Sequence, residues 1–150
     1  MRVLVQRTTK ASVLIDGEEE REIAAGLVVL VGIEAEDNKE DAIWLVKKIC
    51  SLRIFSDEVG KMNHSLLDID GELLIISQFT LHASTRKGNR PSYIKAAKPE
   101  VAIPLYNHFV ALAEVQIPSK VKTGKFGADM KVSLVNDGPV TIWIDSKNRE

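Results

Sequence analysis

Met130-Lys131-Val132-Ser133-Leu134-Val135-Asn136-Asp137-Gly138-Pro139-Val140-Thr141-Ile142-Trp143-Ile144 is the stretch on which the fold turns. Met130, Val132 and Leu134 alternate before its centre, and Val140, Ile142 and Ile144 alternate after it. That two-residue period belongs to strands with one buried face. Asp137-Gly138 is a strong hairpin signal and predicts a turn between strands at 130–136 and 140–146. Pro139 sits awkwardly there, because its ring removes a ladder donor and disfavours helical backbone in the residue before it. A Gly before Pro widens the backbone choices, a cis peptide among them. Such a turn offers bare carbonyls with almost no side chain in the way. It suits a rigid steric gauge as well as a corner.

Strand patterns also cover residues 2–9, 11–16, 19–25, 27–34 and 72–78, with Asp16-Gly17 as a hairpin turn and Asp70-Gly71 leading into the last of them. Asn38 predicts the N-cap of a helix through about residue 51, with Ala42, Leu45, Val46 and Ile49 as its apolar stripe. A second helix is expected over roughly 99–116, with Val101, Leu105, Phe109 and Leu112 on one face. Pro99 fits its first turn. Pro104 conflicts with a helix interior and predicts a late start or a kink. The pattern is α+β: an antiparallel or mixed, curled sheet packed by two helices. With no repeat and no low-complexity linker, a single domain over residues 1–150 is expected.

The 150 residues carry 45% apolar and 27% charged side chains, the proportions of an ordinary globular protein. No apolar run approaches the roughly 20 residues that span a bilayer, and the start runs straight into a strand pattern. The single cysteine, Cys50, excludes an internal disulfide and fits a reducing compartment. A cytoplasmic protein is expected. The net charge of −1 hides an uneven distribution. Between Glu72 and Glu100 there is no acid, yet Arg86, Lys87, Arg90, Lys95 and Lys98 all fall inside, and Lys120, Lys122, Lys125 and Lys131 form a second basic stretch. These clusters are either solvated loops or the footprint of a polyanion. The first lies just downstream of Ser77-Gln78-Phe79-Thr80-Leu81, which favours phosphate contacts beside a site.

Conventional hydrolytic machinery is scarce. There are three histidines and no Gly-x-Ser-x-Gly elbow. Cys50, between Ile49 and Leu52, reads as core. No His, Cys and Asp cluster has metal-ligand spacing, and Gly124-x-x-Gly127 lacks the Gly-Lys-Ser/Thr of a phosphate loop. No metal and no cofactor are expected. Thr80 is the remaining nucleophile candidate, with His82 on its strand face if the extended chain continues. The alternative is a Thr80 that caps backbone groups. Ser77, Gln78 and the backbone amides near Phe79 and Thr80 suit a developing oxyanion.

Ser77-Gln78-x-x-Leu81 and Gly138-Pro139 together resemble the signature boxes of the D-aminoacyl-tRNA deacylase family, an SQ-x-x-L box and a Gly-cisPro box. Arg53-Ile54-Phe55-Ser56-Asp57, Gly60-Lys61-Met62-Asn63, Lys87-Gly88-Asn89-Arg90-Pro91-Ser92, Thr123-Gly124, Ala128-Asp129-Met130 and the N-terminal Val3-Leu4-Val5-Gln6-Arg7 follow that family in order and spacing. The resemblance spans nearly the whole chain. It implies a compact, barrel-like, mostly antiparallel sheet that works as a homodimer, and hydrolysis of the ester of D-aminoacyl-tRNA.

Further expectations follow from that resemblance. Ser77, Gln78, Phe79 and Thr80 form the catalytic segment, with the ribose hydroxyl beside the ester assisting its own hydrolysis. Phe79 either packs under the terminal adenine or belongs to the core. Phe126 and Met130 line the substrate pocket, and Arg86, Lys87 and Arg90 meet the tRNA. Gly138 and Pro139 reach into the partner subunit's site and reject an L side chain by collision, a filter that tolerates many D residues and also glycine. The alternative for Gly138-Pro139 is an ordinary tight turn. His82, Ser84, Tyr93 and Gly127 depart from the family's commoner residues.

Overall fold

The computed structural model describes residues 1–149, and its largest element is a six-stranded sheet. The elements are β1 (Arg2–Ile15), β2 (Glu19–Ile23), β3 (Gly26–Gly32), α1 (Lys39–Ser51), β4 (Phe55–Ser56), β5 (Met62–His64), β6 (Glu72–Ser77), α2 (Pro99–Gln116), β7 (Val121–Thr123) and β8 (Met130–Asp145). Long β1 organises the sheet. One side pairs with β3 along its first half and with β2 along its second, and the other side pairs with β8. All three pairings are antiparallel, whereas β3–β6 and β6–β7 are parallel. The result is the expected α+β class: a nearly closed, barrel-like sheet, mostly antiparallel, with two helices. The β4–β5 ribbon stands apart from it. Asp16 and Gly17 both take positive φ, 51° and 73°, as a primed hairpin turn requires.

Two expectations about the strands are corrected. Residues 2–9 and 11–16 form one strand, whose register shifts between Gln6 and Lys10. Residues 130–136 and 140–146 also form one strand, so Asp137-Gly138-Pro139 is not a hairpin. Both halves of β8 pair with β1 in the same direction, from Met130 opposite Ile15 to Asn136 opposite Thr8, then from Thr141 opposite Gln6 to Asp145 opposite Arg2. Residues 137–140 bulge out across from Arg7. Gly and Pro expel this segment from the ladder, and alternation resumes beyond it with the register shifted. The Asn136 side chain closes the bulge: its Oδ1 accepts the Val140 N–H at 2.9 Å, and its Nδ2 donates to Thr141 Oγ1 at 2.9 Å.

α1 follows its sequence pattern. The Asn38 side chain accepts from the Glu40 and Asp41 amides, Asp41 returns a bond to the Asn38 amide, and Ala42, Leu45, Val46 and Ile49 are buried. α2 runs unbroken through Pro104. The bond that Pro104 cannot make would end on Glu100, in the exposed first turn, where a carbonyl can turn to solvent. Its buried face is also rotated from the expected one: Ala102, Leu105, Tyr106, Phe109 and Ala113 are buried, while Val101 is 44% exposed.

The sheet has apolar residues on both faces. Val3, Val5, Leu27, Val29, Leu73 and Ile75 pack against the helices. Val13, Val28, Leu74 and Ile76 face the other way, where the curl brings Met130, Val132 and Leu134 over them. Continuous apolar runs such as Leu73-Leu74-Ile75-Ile76 are what a strand covered on both sides requires. Cys50 lies in the first core, and burial pushes its thiol up to about 11, which makes it inert as a nucleophile. Among the described residues no helix is long and apolar enough to cross a membrane.

Candidate active site

Parallel strands β3, β6 and β7 bring their carboxyl ends to one side of the sheet. There Ser77 ends β6, and the Gln78 N–H donates to Val31 O at 2.7 Å. The chain then winds into a 3₁₀ turn, Phe79–His82, closed by Leu81 N–H to Gln78 O at 3.2 Å and Ala83 N–H to Thr80 O at 3.0 Å. The leading amides of such a turn, those of Phe79 and Thr80, have no partner within it. Beside the start of this turn lies a cleft of about 380 Å³, a volume suited to a small ligand. Ser77, Gln78 and Phe79 line it from the end of β6, and Phe126 and Met130 from the segment that follows β7, together with Ile76. Gly124 makes room for this arrangement. A Cβ there would overlap Met130 Sδ and come within 3.1 Å of Ile76 Cδ1.

Five of the expected site residues thus meet in one place. Thr80 does not line the cleft, and its Oγ1 accepts from Gln78 Nε2 at 2.5 Å. The 3₁₀ turn removes the shared strand face expected for Thr80 and His82. His82 points inward, 1% exposed, with neither ring nitrogen hydrogen-bonded and Nδ1 3.9 Å from Glu34 Oε2. Thr80 therefore lacks the base that a hydroxyl nucleophile needs. Phe79 is 55% exposed and meets Tyr93 edge-on at 5.0 Å, so it is a surface ring and not core. Arg86, Lys87 and Arg90 lie in an exposed loop whose ends are tied by the Ser84–Ser92 backbone pair, next to Tyr93. Among the described residues, no three His, Cys, Asp or Glu side chains cluster as metal ligands.

Gly138 and Pro139 are joined by a cis peptide, are exposed, and do not line the cleft of their own chain. Their bulge stands on Arg7. This guanidinium is almost fully buried; Nε donates to Asp137 O at 3.0 Å and approaches Asp137 Oδ2 at 3.1 Å, while Nη1 donates to Ile54 O at 2.5 Å. Sequence reasoning missed Arg7 as the support of this bulge, although the sequence carries a signal for it. It continues the inward series Val3, Val5, and a charge in a buried series demands partners. Tyr106 was missed too, because the expected apolar stripe of α2 excluded it.

Residues 4–145 match the family model described as D-Tyr-tRNA(Tyr) deacylase. This chain belongs to that family. Two D-aminoacyl-tRNA deacylases, from Cytophaga hutchinsonii and Bacteroides fragilis, are 63% and 61% identical to it over 150 residues, covering all of both chains in each case. A solved structure named c-Myc DNA unwinding element binding protein superposes with a TM-score of 0.91 at 42% identity, covering 97% of this chain and 98% of that one.

Proposed function

We propose that this protein hydrolyses the ester of D-aminoacyl-tRNA, releasing the free D-amino acid and tRNA, and that it also accepts glycyl-tRNA. The convergence of Ser77, Gln78 and Phe79 with Phe126 and Met130 around one cleft, in a chain of this family, carries the proposal. Water adds to the ester carbonyl, and the negative oxygen that forms is held by the amides of Phe79 and Thr80 with Ser77 and Gln78. The bond to the ribose oxygen then breaks, and that oxygen takes the proton that the attacking water gives up. The adjacent ribose hydroxyl aligns the water, so positioning supplies much of the rate and Thr80 makes no covalent bond.

Handedness is judged by the Gly138-Pro139 backbone of a second copy of the chain. An exposed bulge that avoids its own cleft suits insertion into a partner's, which makes the homodimer the working unit. There its carbonyls would hold the substrate's amino group and leave no space for an L side chain. Arg86, Lys87 and Arg90 contact tRNA phosphates, and the protein acts in the cytoplasm, on charged tRNA.

A second reading, a non-catalytic nucleic-acid-binding module, is favoured by the exposed basic loop and by the DNA-element-binding name of a structural relative. Incubation with matched D- and L-aminoacyl-tRNA over a range of salt separates the two. The deacylase cleaves the D ester, spares the L ester, and weakens as salt rises. A binding module protects both esters, and that outcome would end the proposal.

A further inference from the structure

Tyr106 lies outside the cleft, on α2, yet it touches both of the segments that form the walls. It is 5% exposed, and its hydroxyl donates to Ile75 O at 2.9 Å. Ile75 is two residues before Ser77 on β6. The same carbonyl accepts the Gly124 N–H at 3.1 Å. Gly124 leads to Phe126, and the Tyr106 ring packs against the Phe126 ring, centroids 6.2 Å apart and tilted by 60°. From the other side, Arg21 Nη1 donates to Thr123 O at 2.8 Å and to Gly124 O at 3.4 Å. One side chain therefore grips the strand that presents Ser77-Gln78 through its oxygen and the segment that carries Phe126 through its ring.

The hydroxyl is not needed for bulk. Every other buried residue of α2 is apolar, and a buried hydroxyl is costly to desolvate unless it is bonded. Nor does the Ile75 carbonyl need it, because the sheet already provides the Gly124 amide as a donor. Burial holds the phenol well above its ordinary pKa, so it stays a neutral donor at any physiological pH. What the extra bond adds is a further tie between two segments also joined by the short β6–β7 pairing and by the packing of Met130 over Ile76.

We infer that Tyr106 is a positioning residue that sets the separation between the Ser77-Gln78 wall and the Phe126 wall, and with it the seating of the aminoacyl-adenosine end. This rests on the deacylase reading. Its hydroxyl governs kcat, by aligning the oxyanion donors, and its ring governs KM, through Phe126.

Tyr106→Phe, Tyr106→Leu and Phe126→Leu in the full-length protein test this with D-aminoacyl-tRNA. Tyr106→Phe lowers kcat about five-fold or more, with KM within about two-fold, the loss expected for one hydrogen bond felt in the transition state. Tyr106→Leu also raises KM, and combining it with Phe126→Leu raises KM little further, because both break one contact. Phe109→Leu is the control for stability. If it matches Tyr106→Phe in melting temperature and also in kcat loss, or if Tyr106→Phe keeps kcat within two-fold, the inference fails. Backbone amide resonances provide a readout independent of turnover: Tyr106→Phe shifts those of Ser77, Gln78 and Phe126, and unshifted resonances would overturn the positioning role. A wild-type protein that leaves D-aminoacyl-tRNA intact would instead overturn the deacylase reading.

Discussion

Replacing Arg7 with Met should loosen the Gly138-Pro139 bulge and leave most of the fold standing. Met matches the apolar stem of Arg but removes the guanidinium bonds to Asp137 O and Ile54 O, at 3.0 and 2.5 Å. A hydrogen bond from a charged donor is worth about 1.5 kcal/mol or more, so two come to about 3 kcal/mol. The ion pair to the Asp137 carboxylate adds at most about 0.5 kcal/mol, because that carboxylate is half exposed and screened. In a chain of this length the total corresponds to a fall of about 6–12 °C in melting temperature. Arg7→Lys keeps the charge but cannot reach both carbonyls with a planar fork, and should lose about half as much. Urea unfolding gives the stability, and initial rates on matched D- and L-aminoacyl-tRNA give the discrimination. Discrimination should drop at least ten-fold in Arg7→Met at temperatures where the protein is still folded. A variant within 1 kcal/mol of wild type (about the scatter of such contacts), or one destabilised as expected yet fully selective, would refute this account of the bulge.

Gly124→Ala should push Met130 into the cleft, since the new Cβ overlaps Met130 Sδ, and raise KM about ten-fold with a stability cost of about 1–3 kcal/mol; an unchanged KM would show that Met130 is not a wall of the binding site. Thr80→Ala should keep most of the turnover, because Thr80 has no base; a thousand-fold loss in single-turnover rate would restore the covalent mechanism. Acid should destabilise the protein in a defined window. Burial opposes charge on Asp41, but bonds from Lys147 and the Asn38 amide hold its carboxyl below the ordinary range, and for Asp145 burial is likewise outweighed, there by Arg2. Lowered folded values mean that this stability is present above the unfolded carboxylate pKa of about 4 and is lost as pH falls through the folded ones. Melting temperatures from pH 7 to pH 3 should therefore hold steady and then drop below about pH 4, and Asp41→Asn should flatten part of the drop. An Asp41→Asn protein with the wild-type slope would exclude this carboxylate.

Much of this architecture could be read from periodicity, because the decisive signals are local. Ala42, Leu45, Val46 and Ile49 repeat with helical spacing on one face, and Asp16-Gly17 carries its turn geometry in two residues. The errors fall where partners at a distance decide. Asp137-Gly138-Pro139 carries the same local signal whether the chain reverses or detours; only the pairing of both flanks with β1 settles it as a bulge. Pro104 interrupts a helix in principle, yet the bond it forfeits falls in the first turn, at the protein surface. Within the site, Ser77, Gln78, Phe126 and Met130 were legible through the family resemblance. The partners of Arg7 and Tyr106 were not, because each bonds backbone carbonyls that no sequence pattern marks, those of Asp137 and Ile54 in one case and that of Ile75 in the other.

The cleft lies beyond the carboxyl ends of three parallel strands that follow one another at intervals of roughly fifty residues, β3 at Gly26–Gly32, β6 at Glu72–Ser77 and β7 at Val121–Thr123. No two of these can meet without closing a long loop, and such contacts are slow to form. A nascent or partly refolded chain can thus own both helices and the β1–β3 pairing and still have no place for a substrate. Competence requires both the β3–β6 and the β6–β7 pairing, so recovery of turnover after denaturant dilution should never precede the slowest spectroscopic phase.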